Sequence, residues 1–425
     1  MNGQILDSLD VWWDDRSAGT LSIDRGGAMH FVYAPDWLAD PNAADLSRAM
    51  PKREAQYDDA ICKAVFGGLL PEEGQRTAIA RALGVSPDNP FRLLAALGGD
   101  VAGALAFLPI GEVPPKAAAG MPEPLNDAAL TGLIERLPRV PMLAGEGGAR
   151  LSLAGAQSKL PVVLVGDQIA VPLPGQPSTH LIKPEPDRFP GLAANEAFCL
   201  ALARAVGLDA VEAEWRQVNG RPYLLVTRYD RIPDGESIRR LHQEDFAQAL
   251  GVPSNRKYAA EGGPVFRDCF ALLRDAAARP ALEVLKLVDA AVFNVIIGNA
   301  DAHAKNFSLL RQVGNGDPIV LAPLYDLVAT VMWPELYPRL AMTFGGAQTL
   351  EQLDARHIER FASDVGVAAP FVRRRIVELS SAVTDAIGRD LDVPGLIDRG
   401  QTAALTNTIR DRAERFALKA ATRGQ

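Results

Sequence analysis

Cysteine is scarce in this chain of 425 residues: Cys62, Cys199 and Cys269 are the only three, far apart and without CxxC spacing. That excludes a disulfide framework and a cysteine zinc site and fits a reducing compartment, so a cytoplasmic protein is expected. No stretch approaches the roughly 20 apolar residues that a membrane span needs, and MNGQILDSLDVWWDD lacks a basic segment followed by an apolar one. Neither insertion nor export is expected. Positive charge is also lacking, since the formal net charge is -8, which argues against a broad nucleic-acid surface on this chain alone. The local basic run Arg410, Arg412, Arg415, Lys419 and Arg423 reads as a solvated helix face. Internal repeats are absent.

What is present is ordinary globular material, 48% hydrophobic and 23% charged, in a chain long enough for two or three domains. GEVPPKAAAGMPEPL, residues 111 to 125, reads as a connector. Before it, VWWDDRSAGTLSI and AMHFVYAPDWL predict short strands around glycine-containing turns. The helical stretches TAIARAL and FRLLAALGG follow, making a small α+β module. After it, KLPVVLVGDQIAVP predicts a hairpin and THLIKPE a strand ending at Lys183. LAANEAFCLALARAVGL predicts a helix stopped by Gly207, and RPYLLVTRYDR predicts a further strand. From about residue 240 helical patterns dominate, and LEVLKLVDAAVFNVIIG, apolar on nearly every face, predicts a central buried helix. The expected divisions are 1–125, 126–235 and 236–425.

That buried helix runs into DAHAKN, which sets Asp301, His303, Lys305 and Asn306 between apolar flanks. Polar groups in such a place are either a satisfied turn or a site. The order of hairpin, strand with Lys183, helix with Glu196, strand and helical half is that of a two-lobed kinase. Phosphoryl transfer needs a phosphate loop, a strand lysine held by a helix glutamate, a base and metal ligands. Asp301 precedes Asn306 by five positions, the separation of base and metal-binding Asn in kinase catalytic loops. Asp326 follows two short apolar runs around Gly314-Asn315-Gly316, so a hairpin would bring it beside Asn306 to share one Mg²⁺.

Taken together, RLSLAGAQSKL, GNADAHAKNFSLL and LAPLYDL resemble the HipA family of bacterial serine/threonine protein kinases, the toxin halves of toxin–antitoxin pairs. FVYAPDWL, GLLPEEGQR and FRLLAALGGDVAGALAFLP resemble that family's N-terminal module. The resemblance implies an α+β, two-lobed protein-kinase-like fold of the PI3/4-kinase-like HipA type, with a small N-terminal α+β module and a mainly helical C-lobe. It places Ala154, Gly155, Ala156, Gln157, Ser158 and Lys159 around the phosphates of ATP, and Lys183 as the lysine that reaches them, with Glu196 its partner. Thr227, Arg228 and Tyr229 match the lobe-joining segment at the adenine. Asp301 matches the base, Asn306 and Asp326 the Mg²⁺ ligands, and Ser152 the autophosphorylated serine. His303 and Lys305 would orient their loop or contact phosphate, and Tyr325 would lie at the nucleotide. The implied partners are a helix-turn-helix antitoxin of HipB type, through which alone DNA is reached, and a protein substrate of the aminoacyl-tRNA synthetase class, whose modification would inhibit translation.

Plainer readings exist for several of these residues. DAHAKN also fits a polar turn capping a helix that starts near Phe307, Glu196 a residue favourable to a helix dipole, Ser152 an ordinary loop serine, and Tyr325 a core residue. His180 and His242 read as structural. The phosphate loop has a single glycine, Gly155, and matches neither the Walker nor the GxGxxG pattern. Two other functions fit the same layout: a catalytically weak, kinase-fold corepressor acting with its antitoxin, and a small-molecule kinase. The intact set of Lys183, Asp301, Asn306 and Asp326 speaks against the first, and the N-terminal module and SLAGAQ loop against the second.

Overall fold

The computed structural model describes residues 4–115, 120–144, 150–235, 237–313, 318–336, 338–389, 391–396 and 398–422. The fold is α+β. In the N-terminal module, β1 (Ile5–Trp13), β2 (Arg16–Asp24) and β3 (Met29–Tyr33) form an antiparallel meander, and β4 (Leu105–Pro109) adds to the other edge of β1, giving the order β3-β2-β1-β4. Leu9 and Val11 on β1, and Leu21 and Ile23 on β2, are buried at alternate positions, the period of a half-buried strand. The β1–β2 turn differs from the glycine turn expected there: it uses Asp14-Asp15, with Asp14 at φ 53, a left-handed conformation that Asp tolerates better than most residues. Helices α1 (Pro35–Ala39), α2 (Asp59–Val65), α3 (Glu73–Leu83) and α4 (Pro90–Leu97) complete this module, around Phe31, Phe66, Phe91 and Phe107. The connector leads to α5 (Asp127–Arg136); its residues 116 to 119 lie outside the described residues.

A five-stranded antiparallel sheet follows. Its strands are β5 (Leu160–Val165), β6 (Gln168–Ala170), β7 (His180–Pro184), β8 (Ala213–Val218) and β9 (Arg221–Thr227), in the order β6-β5-β7-β9-β8. Between β7 and β8 runs α6 (Leu192–Ala205), with ten of its residues buried.

The remainder is mainly helical, but not as uniformly as the sequence implies. The hairpin β10 (Arg231–Asp234) and β11 (Ser237–Arg240) precedes β12 (Gln243–Asp245) and the single turn α7 (Phe246–Ala249). Helices α8 (Phe266–Ala276) and α9 (Pro280–Ile297) come next. Strands β13 (Ser308–Arg311) and β14 (Ile319–Leu321) then join β12 in a three-stranded sheet, and β15 (Arg339–Phe344) pairs with β16 (Ala347–Thr349). Runs of three to six residues are too short for a period to separate strand from helix, so these small sheets are hidden in the pattern. Helices α10 (Ala355–Asp364), α11 (Ala369–Gly388) and α12 (Ala403–Ala421) close the domain. As expected, α9 is central. Pro280 opens it, Gly298 at φ 80 stops it, and its buried Glu283 accepts from the Leu321 N–H of β14 at 2.9 Å.

The N-terminal module is locked to the rest by buried polar contacts. Glu244 on β12 accepts from Ser47 Oγ at 2.5 Å and from the Arg48 N–H at 3.0 Å. Burial pushes its carboxyl up to about 7, with Asp245 adding to the rise and Ser47, Arg48 and Arg311 opposing it. A raised carboxylate favours the fold below its unfolded value near 4.5, and that advantage is lost as pH rises toward 7. At 1.36 kcal/mol per unit the loss approaches about 3 kcal/mol. Replacing Glu244 with Gln should therefore remove a pH dependence: urea unfolding is expected to show the variant gaining on wild type between pH 4.5 and 7.5. A stability difference constant over that range would contradict the assignment.

Candidate active site

Lys183 is the fourth residue of β7 and pairs with Leu224 across the sheet. Its neighbour Ile182 enters the hydrophobic core, so alternation turns Lys183 to the other face. There its Nζ meets Glu196 Oε1 at 2.6 Å and Asp326 Oδ1 at 2.7 Å. Burial disfavours the ammonium, but Asp326 and Glu196 outweigh it and hold Lys183 above its ordinary value. Burial raises the carboxyl of Glu196, whereas Asp326 is kept below the usual carboxylate range by Lys183 and Lys159, which outweigh its partial desolvation. Asp326 sits at φ 57 with its side chain 40% exposed, the open member of the trio. The turn Gly314-Asn315-Gly316 that precedes it lies outside the described residues, but the β13–β14 pairing across it is present.

The segment after Ser152 curls beneath this trio. Lys159 Nζ donates to the Ala154 carbonyl at 2.7 Å, and burial together with the Lys183 charge lowers its pKa to about 8. Gly155 has φ 115, and a Cβ there would stand 2.5 Å from Lys159 Nζ, so glycine is required for the curl. Ser152 is fully buried and its Oγ donates to the Leu69 carbonyl at 3.1 Å.

In the DAHAKN loop the Asp301 carbonyl accepts from the His303 N–H at 2.8 Å and from Asn306 Nδ2 at 3.2 Å. This winds the loop so that Asp301 is exposed while Asn306 is buried. The Asp301 N–H is fixed by Asn299 Oδ1 at 3.0 Å, a contact that sequence reading did not anticipate. Phe307 leads into strand β13, so the plainer reading of a helix cap at this point does not hold. His303 packs edge-on against Tyr258, and burial, with Lys257 nearby, lowers its pKa to about 3, so it is neutral at pH 7. Lys305 is directed elsewhere: its Nζ donates to Asp245 Oδ2 at 2.6 Å and to the Gly68 carbonyl at 3.2 Å. Tyr325 hydroxyl donates to the Lys305 carbonyl at 2.9 Å and meets Ser308 Oγ at 2.6 Å, tying the residue before Asp326 to the loop.

In the lobe-joining segment the Arg228 guanidinium is buried and bonded to Asp230, Ser178 and the Val101 carbonyl, with Asp100 at 3.5 Å. The side chain is thus structural, leaving only backbone to face a ligand. Thr227 N–H donates to the Glu212 carbonyl at 2.8 Å, and Tyr229 stacks on Tyr325 with ring centres 5.9 Å apart. A cavity of about 510 Å³ borders Thr227, Tyr229 and Pro323, but none of Lys183, Asp301 or Asp326 lines it, so the ionic cluster and not this hollow defines the site. His180 and His242 are held structurally, by Thr179 Oγ1 and the Leu46 carbonyl.

These elements carry the signature of a known group. A model of the HipA-like C-terminal domain matches residues 151–387, and one of the HipA N-terminal domain matches residues 9–108. The chain belongs to the HipA family. A relative from Sinorhizobium fredii named "Putative kinase Y4mE" is 51% identical over 96% of this chain and 98% of its own. The HipA serine/threonine-protein kinase toxin of Shewanella oneidensis is 29% identical over 89% of this chain and 88% of its own. The solved complex of Shewanella HipA with HipB and operator DNA superposes with a TM-score of 0.84 at 26% identity, covering 97% of this chain and 98% of that one. The two-lobed, kinase-like HipA architecture is therefore the fold of this chain. Among the described residues no helix is long and apolar enough to cross a membrane.

Proposed function

We propose that this HipA-family chain is a serine/threonine protein kinase that transfers the γ-phosphate of ATP to a protein hydroxyl. The observation that carries the reading is the ion-paired trio of Lys183, Glu196 and Asp326, since a formed lysine–glutamate pair beside a metal-binding aspartate is what phosphoryl transfer requires. Lys183 and Lys159 supply cationic groups for phosphate oxygens. The exposed Asp301 accepts the proton of the acceptor hydroxyl as its oxygen bonds to the γ-phosphorus and the bond to the departing ADP oxygen breaks. Asn306 and Asp326 fit Mg²⁺ by their chemistry: a side-chain amide oxygen and a partly exposed carboxylate are hard oxygen donors, and Mg²⁺ characteristically takes one or two protein groups plus phosphates and water. When bound there, Mg²⁺ would neutralise phosphate charge.

The Shewanella HipA complex contains HipB and operator DNA. By that likeness this chain is assigned a helix-turn-helix antitoxin as partner, with DNA reached through it. From the family resemblance we infer that the phosphorylated protein is an aminoacyl-tRNA synthetase, with translation inhibited as the consequence. Thermal unfolding tests the nucleotide site: MgATP at 100 times its Kd adds roughly 2.7 kcal/mol to the folded state, so unphosphorylated protein is expected to melt measurably higher with MgATP. Identical melting with and without MgATP would contradict the kinase reading.

A further inference from the structure

GLLPEEGQR, residues 68 to 76, belongs to the N-terminal module, yet its contacts are with both active-site loops. Toward the phosphate loop, Pro71 bridges in parallel to Gly155, the Glu72 N–H donates to the Gly155 carbonyl at 3.1 Å, and Gln75 Nε2 donates to Ser158 Oγ at 2.9 Å. Leu69 supplies the carbonyl that accepts from Ser152. Toward the catalytic loop, the Gly68 carbonyl accepts from Lys305 Nζ, and the Glu72 carboxylate lies 3.5 Å from that same Nζ and 2.8 Å from Lys257 Nζ. With Asp245 this makes a buried quartet of two carboxylates and two ammonium groups. Burial disfavours the Glu72 charge, but Lys305 and Lys257 outweigh it and keep it ionised. One residue thus holds the phosphate loop through its backbone and faces the catalytic-loop ammonium of Lys305 with its carboxylate at ion-pair distance, beside the closer Asp245.

We propose that Glu72 is a positioning residue for phosphate transfer, the point at which the N-terminal module sets the distance between phosphate loop and catalytic loop. The assignment rests on the kinase reading for its chemistry, but the clasp itself does not. Lys305 lies four residues after Asp301 and one before Asn306, so fixing its ammonium fixes the span that carries base and metal ligand. Loss of the Glu72 carboxylate removes one of the two anions facing Lys305 and loosens that span, which Asp245 and the Gly68 carbonyl still hold, while the backbone hold on Gly155 persists. The turnover rate is then affected more than nucleotide affinity.

The test uses the whole chain. Hydrogen exchange of Glu72→Gln is expected to quicken in peptides covering 301–306 and to remain as in wild type in α9, whereas Arg92→Ala, which breaks the partly exposed Arg92–Asp7 pair of the same module, changes neither. In steady-state kinetics kcat of Glu72→Gln should fall roughly a hundredfold, as for a small misplacement of reacting groups, with KM for ATP altered less than about threefold. Glu72→Gln combined with Lys305→Met restores charge balance. The double variant should recover melting temperature but have a kcat no lower than Lys305→Met alone. Unchanged exchange at 301–306, or additive losses in kcat, would overturn the proposal. If wild type transfers no phosphate the kinase reading fails, and exchange alone still decides the clasp. If Glu72→Gln does not fold, Gln75→Ala takes its place, with faster exchange expected at 154–159 and unchanged exchange there overturning the clasp.

Discussion

Replacing Asp326 with asparagine is expected to leave the fold intact and to reduce phosphate transfer by roughly a hundred- to a thousandfold, the scale on which one preorganised electrostatic partner acts. The substitution is clean for three reasons. Asp326 sits at φ 57, a region that Asn tolerates, its side chain is 40% exposed, and Lys183 retains its 2.6 Å contact with Glu196. What disappears is the anionic oxygen proposed to hold Mg²⁺ against the phosphates. Activity near the wild-type rate in a protein with unchanged melting temperature would show that Asp326 is only a structural partner of Lys183.

Phosphate on Ser152 is expected to switch the kinase off. Ser152 has no exposed surface, its Oγ donates to the Leu69 carbonyl, and its N–H donates to the Asp100 carbonyl at 3.0 Å. A phosphate adds about -1.5 to -2 charges and three acceptor oxygens. That group does not fit where a hydroxyl faces a carbonyl, so the segment must leave, and Ala154 to Lys159 go with it. The phosphoprotein should then lose the upward melting shift with MgATP. Ser158, half-buried and bonded to Gln75, is the competing site. Mass spectrometry of wild type and Asp301→Asn distinguishes the two, since self-modification should appear only in the active form. Phosphate on Ser158 alone, or MgATP binding unimpaired by phosphate on Ser152, would contradict the mechanism.

The parts legible in the sequence are those in which one short stretch holds a whole function. DAHAKN carries the proposed base and ligand five residues apart, HLIKPE sets its lysine one residue before the end of a strand, and ANEAFCL places Glu196 one turn into a helix. Lys183 and Glu196 form the pair that the element order implied, and Asp326 joins them. Less legible were the residues whose meaning depends on distant partners. Lys305 reads equally as a residue that orients its loop or as a phosphate contact, and only the fold shows Asp245 and the Gly68 carbonyl holding its ammonium. Arg228 reads as part of the nucleotide segment, but Asp230, Ser178 and Val101 occupy its guanidinium. Pairings such as Glu72 with Lys305 or Asp100 with Arg231 span more than a hundred positions, and no local pattern encodes them. GLLPEEGQR was visible as a motif, while its contacts with both loops required the fold.

The central claim is tested most directly by incubating unphosphorylated wild-type protein, and separately Asp301→Asn, with a bacterial extract, Mg²⁺ and ATP labelled at the γ-phosphate. Wild type is expected to label a protein on serine or threonine, and Asp301→Asn, folded and equally stable, to label none. No label from wild type, or equal label from both, would contradict it.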